Sequence, residues 1–118
     1  MIDVFFMSPP GPNWALRGRA NFRSREAAPV DAAIARREWL ALARHIEDRG
    51  GLVVVLPPPS DELTGTPYAA ECGHMVGGRF VLPRMWAPHR RGERDHWARL
   101  LGELGVPVVD PVPADAFW

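Results

Sequence analysis

The chain has 118 residues, enough for one domain with its own core but too few for two large ones. Its 14 basic and 14 acidic residues cancel, which gives no net charge to attract nucleic acid or an anionic membrane. A single cysteine excludes an internal disulfide, and no apolar run has the length of a membrane span or a signal peptide, so we expect a cytoplasmic protein.

The first half of the chain predicts two strands joined by a helix. The apolar run at 4–7, closed by two prolines, predicts a buried strand. Asp31 is placed to cap a helix that continues to Ile46 and ends at the glycines 50–51. The β-branched run 52–56 is typical of a strand that is covered on both faces and runs parallel to the first.

Residues 11–29 show no periodic pattern and are rich in glycine, proline and charge. Loops of this length in a compact domain are usually functional or disordered. We interpret the stretch as a lid or as a linker.

The second half predicts a hairpin, a helix and a strand. Gly77 and Gly78 are suited to a two-residue turn between strands at 74–76 and 80–82. These elements precede a helix and a final strand, so this half reads as a ββαβ unit. The first half resembles such a unit without its leading strand.

The second helix is predicted from leucines that recur at helical spacing after Trp97, with Gly105 as its end. Trp97 is expected in the core and its neighbour His96 on the surface. The valines at 106–109 predict the last strand, at an edge or beginning at Pro107.

Several short segments follow one another in an order that is itself informative. They are Met7-Ser8-Pro9-Pro10, Asn21, the strand at 52–56 with its prolines, Tyr68-Ala69-Ala70-Glu71-Cys72-Gly73, Phe80-Val81-Leu82-Pro83-Arg84 and Arg90-Arg91-Gly92-Glu93. Together they resemble the guanidino-group-modifying superfamily, which includes arginine deiminases, dimethylarginine dimethylaminohydrolases and amidinotransferases.

The resemblance implies an α/β fold, a five-bladed propeller of ββαβ units called the pentein fold. Residues 1–118 would be a single domain that supplies about two of the five blades. The family's nucleophilic cysteine, its histidine and its Gly-Asp carboxylate motif would lie outside this chain, which ends about where that motif would begin. No catalytic residue is therefore assigned within the chain, and no cofactor is implied.

Four residues are candidates for substrate binding. Glu71 stands where the family has Asp or Asn and would face a cationic guanidinium, or else it ends a strand in a salt bridge. Arg90 and Arg91 would hold a substrate carboxylate, or else lie in a solvated turn or pair with Glu93. Arg84 has the same two interpretations, with the structural one stronger.

Cys72 and the histidines give weaker signals. Cys72 is two residues from His74, but a free cysteine is more often a buried structural residue than a nucleophile. Glu71, Cys72, His74 and His89 match neither of the usual zinc motifs, so no metal site is expected.

Two functions follow from these features. The chain is the N-terminal part of an amidinohydrolase or amidinotransferase that acts on arginine or a related guanidine compound, or it is a catalytically silent module that oligomerises. Both predict a protein partner, either the rest of the propeller or another chain, because an incomplete propeller exposes strand edges. Neither predicts binding to nucleic acid or to a membrane.

Overall fold

The computed structural model describes residues 1–16, 22–58, 60–68 and 72–110. Helices and strands both occur in these ranges, which confirms the α/β class. The chain divides into two compact units, residues 1–67 and 68–118, and each unit contains a sheet of its own. That residues 1–118 form one domain stays a prediction.

The first unit is a βαβ arrangement. Strand β1 (Val4–Met7) is followed by the short helix α1 (Phe22–Glu26), which lies inside the stretch expected to be a loop. Helix α2 (Ala32–Glu47) then leads to strand β2 (Leu52–Val55). The two strands pair in parallel, as predicted from the sequence.

The ends of α2 are set by two local features that the sequence predicted. The Asp31 side chain accepts hydrogen bonds from the backbone N–H groups of Ala33 and Ile34, at 2.8 and 3.1 Å. At the other end Gly50 takes a φ of +85°, a conformation that glycine adopts without strain.

The prediction that the strands at 4–7 and 52–56 are buried is wrong for most of their residues, although Leu56 is only 3% exposed. Val4, Phe5 and Phe6 of β1 are each at least 40% exposed, and the first and last residues of β2 are about half exposed. A continuous apolar strand is normally covered by helices on both faces of a larger sheet. Here the sheet has two strands and one long crossover helix, so the covering elements are missing from the described residues.

The second unit has the predicted ββαβ order. Strands β3 (His74–Val76) and β4 (Arg79–Val81) are antiparallel, and β4 pairs in parallel with β5 (Val108–Val109). A single 3-10 turn, Pro88–Arg90, leads into helix α3 (Arg91–Glu103) between β4 and β5. The predicted hairpin is confirmed, with both glycines of its turn at positive φ.

The core of the second unit lies between β4 and α3. Phe80, Trp97 and Leu101 are all at least 90% buried, which confirms the prediction for Trp97. The surface prediction for His96 is wrong, because its side chain is only 7% exposed. Its spacing of three from Glu93 places it on the buried side of the helix, which a search for apolar residues alone does not reveal.

None of the α-helices within the described ranges combines the length and the apolar character that a membrane crossing requires.

Candidate functional site

The candidate substrate-binding residues belong to the second unit. Arg84 follows β4, while Arg90 and Arg91 lie where the 3-10 turn meets α3. Glu71 lies outside the described residues. The structure gives the guanidinium groups of the three arginines different partners.

The Arg90 guanidinium is held by Glu93. Its Nε donates to Oε1 at 2.9 Å and its Nη2 donates to Oε2 at 2.8 Å, which is a two-pronged contact. The Glu93 side chain is fully buried and that of Arg90 is 14% exposed. Because Glu93 is in the first turn of α3, the positive end of the helix dipole also favours its carboxylate. The pairing with Glu93 is thus observed, and a contact from Arg90 to substrate stays a prediction.

Arg91 has a different environment. It is exposed, and its Nη2 donates to the backbone carbonyl of Trp86 at 3.1 Å. Trp86 is itself 72% exposed. The Arg91 guanidinium is therefore bound to the loop before the 3-10 turn, at a solvent-accessible position.

Arg84 is part of a cluster with Asp110 and Arg94. The Asp110 carboxylate accepts hydrogen bonds from Arg84 Nη2, at 2.6 Å, and from Arg94 of α3. This carboxylate ties the helix to the ends of two strands. Asp110 was not predicted as part of the site, although Arg84 and Asp110 follow neighbouring parallel strands whose carboxyl ends meet at one edge.

The Asp110 cluster predicts a loss of stability in acid. The hydrogen bond from Arg84 is the main cause that lowers the pKa of Asp110 to about 2, with Arg94 contributing, although partial burial opposes both. Since the pKa is lower in the folded state, the stabilisation is complete above the ordinary carboxyl pKa of 3.8 and disappears as the pH falls toward 2. We expect Asp110→Asn to remove this part of the pH dependence in urea titrations between pH 5 and 2. An unchanged profile would contradict the ion pairs.

Cys72 lies close enough to the Arg90–Glu93 pair for both charges to act on its thiol. Burial raises the pKa of the Cys72 thiol, and the Glu93 carboxylate raises it further. A backbone hydrogen bond and the Arg90 charge oppose this increase without overcoming it. A thiol with a raised pKa is a poor nucleophile at neutral pH, which agrees with a structural cysteine.

His96 is a buried imidazole on α3. Neither ring nitrogen has a hydrogen-bond partner among the described residues, and the ring contacts that of Trp97 edge-on with centroids 5.3 Å apart. Burial, followed by the positive charge of Arg99, lowers the pKa of His96, while Glu93 opposes this. The ring is therefore neutral in the folded protein at neutral pH.

The lowered pKa of His96 has a consequence for stability. Below the ordinary histidine pKa of 6.5 the unfolded chain binds a proton that the folded chain resists, so folding weakens as the pH falls from 7 to 5. The melting temperature of the wild type should therefore decrease as the pH falls from 7 to 5. We expect this decrease to be smaller in His96→Phe. His45→Phe, at an exposed position of α2, is the control and should leave the slope unchanged. Equal slopes for the wild type and His96→Phe would refute the role of His96.

Within the described ranges, no three His, Cys, Asp or Glu side chains gather in an arrangement that would hold a metal ion.

Comparison with known proteins shows which proteins this chain is similar to. No family model matches the sequence. DDAH2 of Bos taurus is 32% identical over 81 residues, and DDAH2 of Homo sapiens is 31% identical over the same length. Each match takes in 69% of this chain and 28% of the relative, so the chain spans less than a third of these proteins.

Solved structures share the fold over nearly the whole chain. The product-bound N-terminal domain of ArgZ, a cyanobacterial arginine dihydrolase, superposes with a TM-score of 0.87 at 20% identity, over 100% of this chain and 42% of that domain. AgrE in complex with L-arginine gives 0.84 at 20% identity, over 99% of this chain and 17% of AgrE. The chain is a partial N-terminal pentein-like domain. A dimethylarginine dimethylaminohydrolase has the same fold, with a TM-score of 0.70 at 15% identity, over 94% of this chain and 42% of that enzyme.

The resemblance inferred from the sequence is thereby confirmed. In this pentein-like domain the Arg90-Arg91-Gly92-Glu93 segment forms the junction of the 3-10 turn and α3. The fold explains why Glu93 is buried: it faces the Trp97 side of the helix and neutralises Arg90 there. The pentein-like domain thus presents Arg91 in an exposed position and Arg90 in a fixed orientation.

Proposed function

We propose that this chain is the N-terminal segment of a cytoplasmic enzyme that acts on arginine or a related guanidine compound. The superposition of the entire chain on the N-terminal domain of ArgZ, an arginine dihydrolase solved with its product, carries this proposal. The chain would contribute about two ββαβ units of a five-bladed propeller. Residues 11–29 would form the lid or linker of the site.

In this proposal the segment binds the substrate and leaves the chemistry to residues outside it. A cysteine thiolate elsewhere attacks the guanidinium carbon, and the C–N bond to the leaving amine breaks as a histidine protonates that amine, which gives a covalent amidino-enzyme. Water or an acceptor amine, deprotonated by the same histidine, then takes the amidino group and frees the thiolate. The raised pKa of Cys72 supports a nucleophile other than Cys72, because little thiolate forms at neutral pH.

One carboxylate and three guanidinium groups would make the contacts to the substrate. Glu71 would hydrogen-bond the cationic guanidinium, for which a carboxylate is the suitable partner. Arg90 and Arg91 would face the substrate carboxylate. The Glu93 carboxylate supports this role for Arg90, because it fixes the orientation of the guanidinium before substrate arrives. Arg84 would contribute at the end of β4, where Asp110 holds it.

A nuclear magnetic resonance titration tests the binding part of the proposal. L-arginine, at millimolar concentrations, is added to the ¹⁵N-labelled chain and compared with agmatine, which has the guanidinium but no carboxylate. We expect L-arginine to shift the Glu71 amide and the Arg90 and Arg91 Nε–H signals, and agmatine to shift only the Glu71 amide. The absence of any shift with L-arginine would count against the proposal.

Two variants sharpen this test. Arg91→Gln is expected to weaken L-arginine binding about tenfold, the loss of one charge-assisted hydrogen bond, without affecting agmatine. Arg99→Gln is the matched control, since Arg99 is an exposed arginine of the same helix and pairs with Glu103. The chain alone should release no citrulline or ammonia from L-arginine. Activity that disappears in Cys72→Ser would instead place the nucleophile in this chain.

A catalytically silent assembly module is the second candidate. The exposed apolar side chains of β1 and β2 favour it, since such surfaces are usually covered by a protein partner. This module would form an oligomer with no response to L-arginine or agmatine. The mass in solution, measured by sedimentation, together with the titration separates the two candidates.

A further inference from the structure

His96 is a buried polar side chain that the proposed function does not use. It is only 7% exposed, and neither ring nitrogen has a hydrogen-bond partner among the residues that the structure describes. A buried polar group without a partner lowers the stability of the fold. An apolar side chain would fill the same position without that loss, so packing alone does not account for an imidazole here.

Glu93 lies one helical turn before His96. Residues three apart are neighbours on a helix surface, and the Glu93 side chain is fully buried. Burial is the main cause that lowers the pKa of His96, and the Glu93 carboxylate opposes it, so the two side chains are close enough for their charges to interact. An imidazolium at position 96 would therefore find its counter-charge in Glu93.

The same carboxylate holds the guanidinium of Arg90. Each of its two oxygens accepts one hydrogen bond from Arg90, at 2.9 and 2.8 Å. A carboxylate oxygen can accept a second hydrogen bond, so a protonated His96 does not have to displace Arg90. With a neutral imidazole the guanidinium and the carboxylate cancel, whereas a proton on His96 gives the three side chains a net positive charge.

We propose that His96 is a positioning residue that acts on the substrate site through Glu93: its protonation gives the Arg90–Glu93 pair an excess of positive charge, which strengthens the binding of a substrate carboxylate by Arg90. The inference rests on the proposed function, in which Arg90 faces that carboxylate. It makes the affinity for L-arginine higher in mildly acidic solution than at neutral pH. By linkage, bound L-arginine favours the protonated imidazole to the same extent.

Other ionisable groups lie on α3 or near it. The guanidinium groups of Arg94 and Arg99 on the helix stay charged in mild acid and at neutral pH. Asp110, after β5, stays ionised because the hydrogen bond from its main arginine partner lowers its pKa to about 2. Cys72 stays neutral because burial raises the pKa of its thiol. His89 is a second histidine in the adjoining 3-10 turn, and it is therefore the control.

Nuclear magnetic resonance of the wild-type chain tests the linkage. The pKa of His96 is measured from its imidazole signals without ligand, with saturating L-arginine, and with agmatine, which has no carboxylate. We expect L-arginine to raise the pKa of His96 and agmatine not to raise it. An unchanged pKa with bound L-arginine would overturn the inference. This measurement needs no variant, so it holds even if a substitution at position 96 prevents folding.

The affinity for L-arginine gives the reciprocal measurement. The wild type should bind L-arginine about threefold more tightly at pH 5 than at pH 7, the effect of one charge screened by solvent. His96→Phe has a planar ring but no ionisable group, so its affinity should be the same at both pH values. His89→Phe is the matched control and should retain the increase. A His96→Phe variant that retained the full increase would contradict the role of His96.

The proposed function and this inference fail in different ways. If L-arginine bound at neither pH, the proposed function would be refuted and the role of His96 with it. If L-arginine bound equally well at both pH values and left the pKa of His96 unchanged, only the role of His96 would be refuted.

Discussion

Glu93→Gln is expected to lower the free energy of unfolding by about 3 kcal/mol, because it leaves the mostly buried guanidinium of Arg90 without its counter-charge. The estimate is at the low end for buried pairs since the Arg90 side chain keeps 14% of its exposure. The decrease is measured by urea unfolding followed by tryptophan fluorescence.

Two variants make this prediction specific. Glu103→Gln removes the exposed partner of Arg99 on the same helix, where both side chains are more than 60% exposed, and should change stability by about 0.5 kcal/mol or less. The double variant Arg90→Leu/Glu93→Leu removes both charges and should recover much of the loss. If Glu93→Gln changed the free energy of unfolding as little as Glu103→Gln, the description of the Arg90–Glu93 pair as buried would be wrong.

Gly73→Ala is expected to destabilise the second unit by about 3 kcal/mol or more, from backbone strain and overpacking together. Gly73 has a φ of +138°, and an added Cβ would lie 2.4 Å from Cζ of Phe80 and 2.7 Å from the Val81 carbonyl oxygen. The Phe80 ring is in the core and cannot move away without exposing other apolar atoms. Thermal unfolding followed by circular dichroism measures the effect.

Gly102→Ala is the control, and it should increase stability where Gly73→Ala decreases it. Gly102 lies in α3 with no atom within 4 Å of the added Cβ, so alanine should stabilise the helix by about 0.5–1 kcal/mol. A Gly73→Ala variant that melted at the wild-type temperature would show that the hairpin entrance is not as close to Phe80 as described.

Local patterns in the sequence predicted the elements well because their causes are local. Asp31 caps α2, the glycines at 77–78 make the hairpin turn, and the parallel pairing follows from the helix that connects the two strands. The burial of these elements was predicted less well. The apolar pattern of β1 and β2 predicts that their side chains are buried by other elements. The described residues do not include such elements.

The candidate site was predicted in part. The pairing of an arginine with Glu93 was one of three interpretations of the turn, and geometry was needed to assign it to Arg90 and not to Arg91. Asp110 was missed because a contact between residues 84 and 110 appears only when two strand ends are placed side by side. The polarity of His96 predicts a surface position, but its place on the helix, three residues after the buried Glu93, puts its side chain in the interior.

The parallel pairing of β1 with β2 also affects how the chain folds during its synthesis on the ribosome. Val4 pairs with Leu52, 48 residues later, whereas the β3–β4 hairpin closes over two residues. At roughly 5–20 residues per second, translation leaves β1 without β2 for about 2–10 s. During that interval the nascent chain displays Val-Phe-Phe-Met, a segment suited to capture by a chaperone.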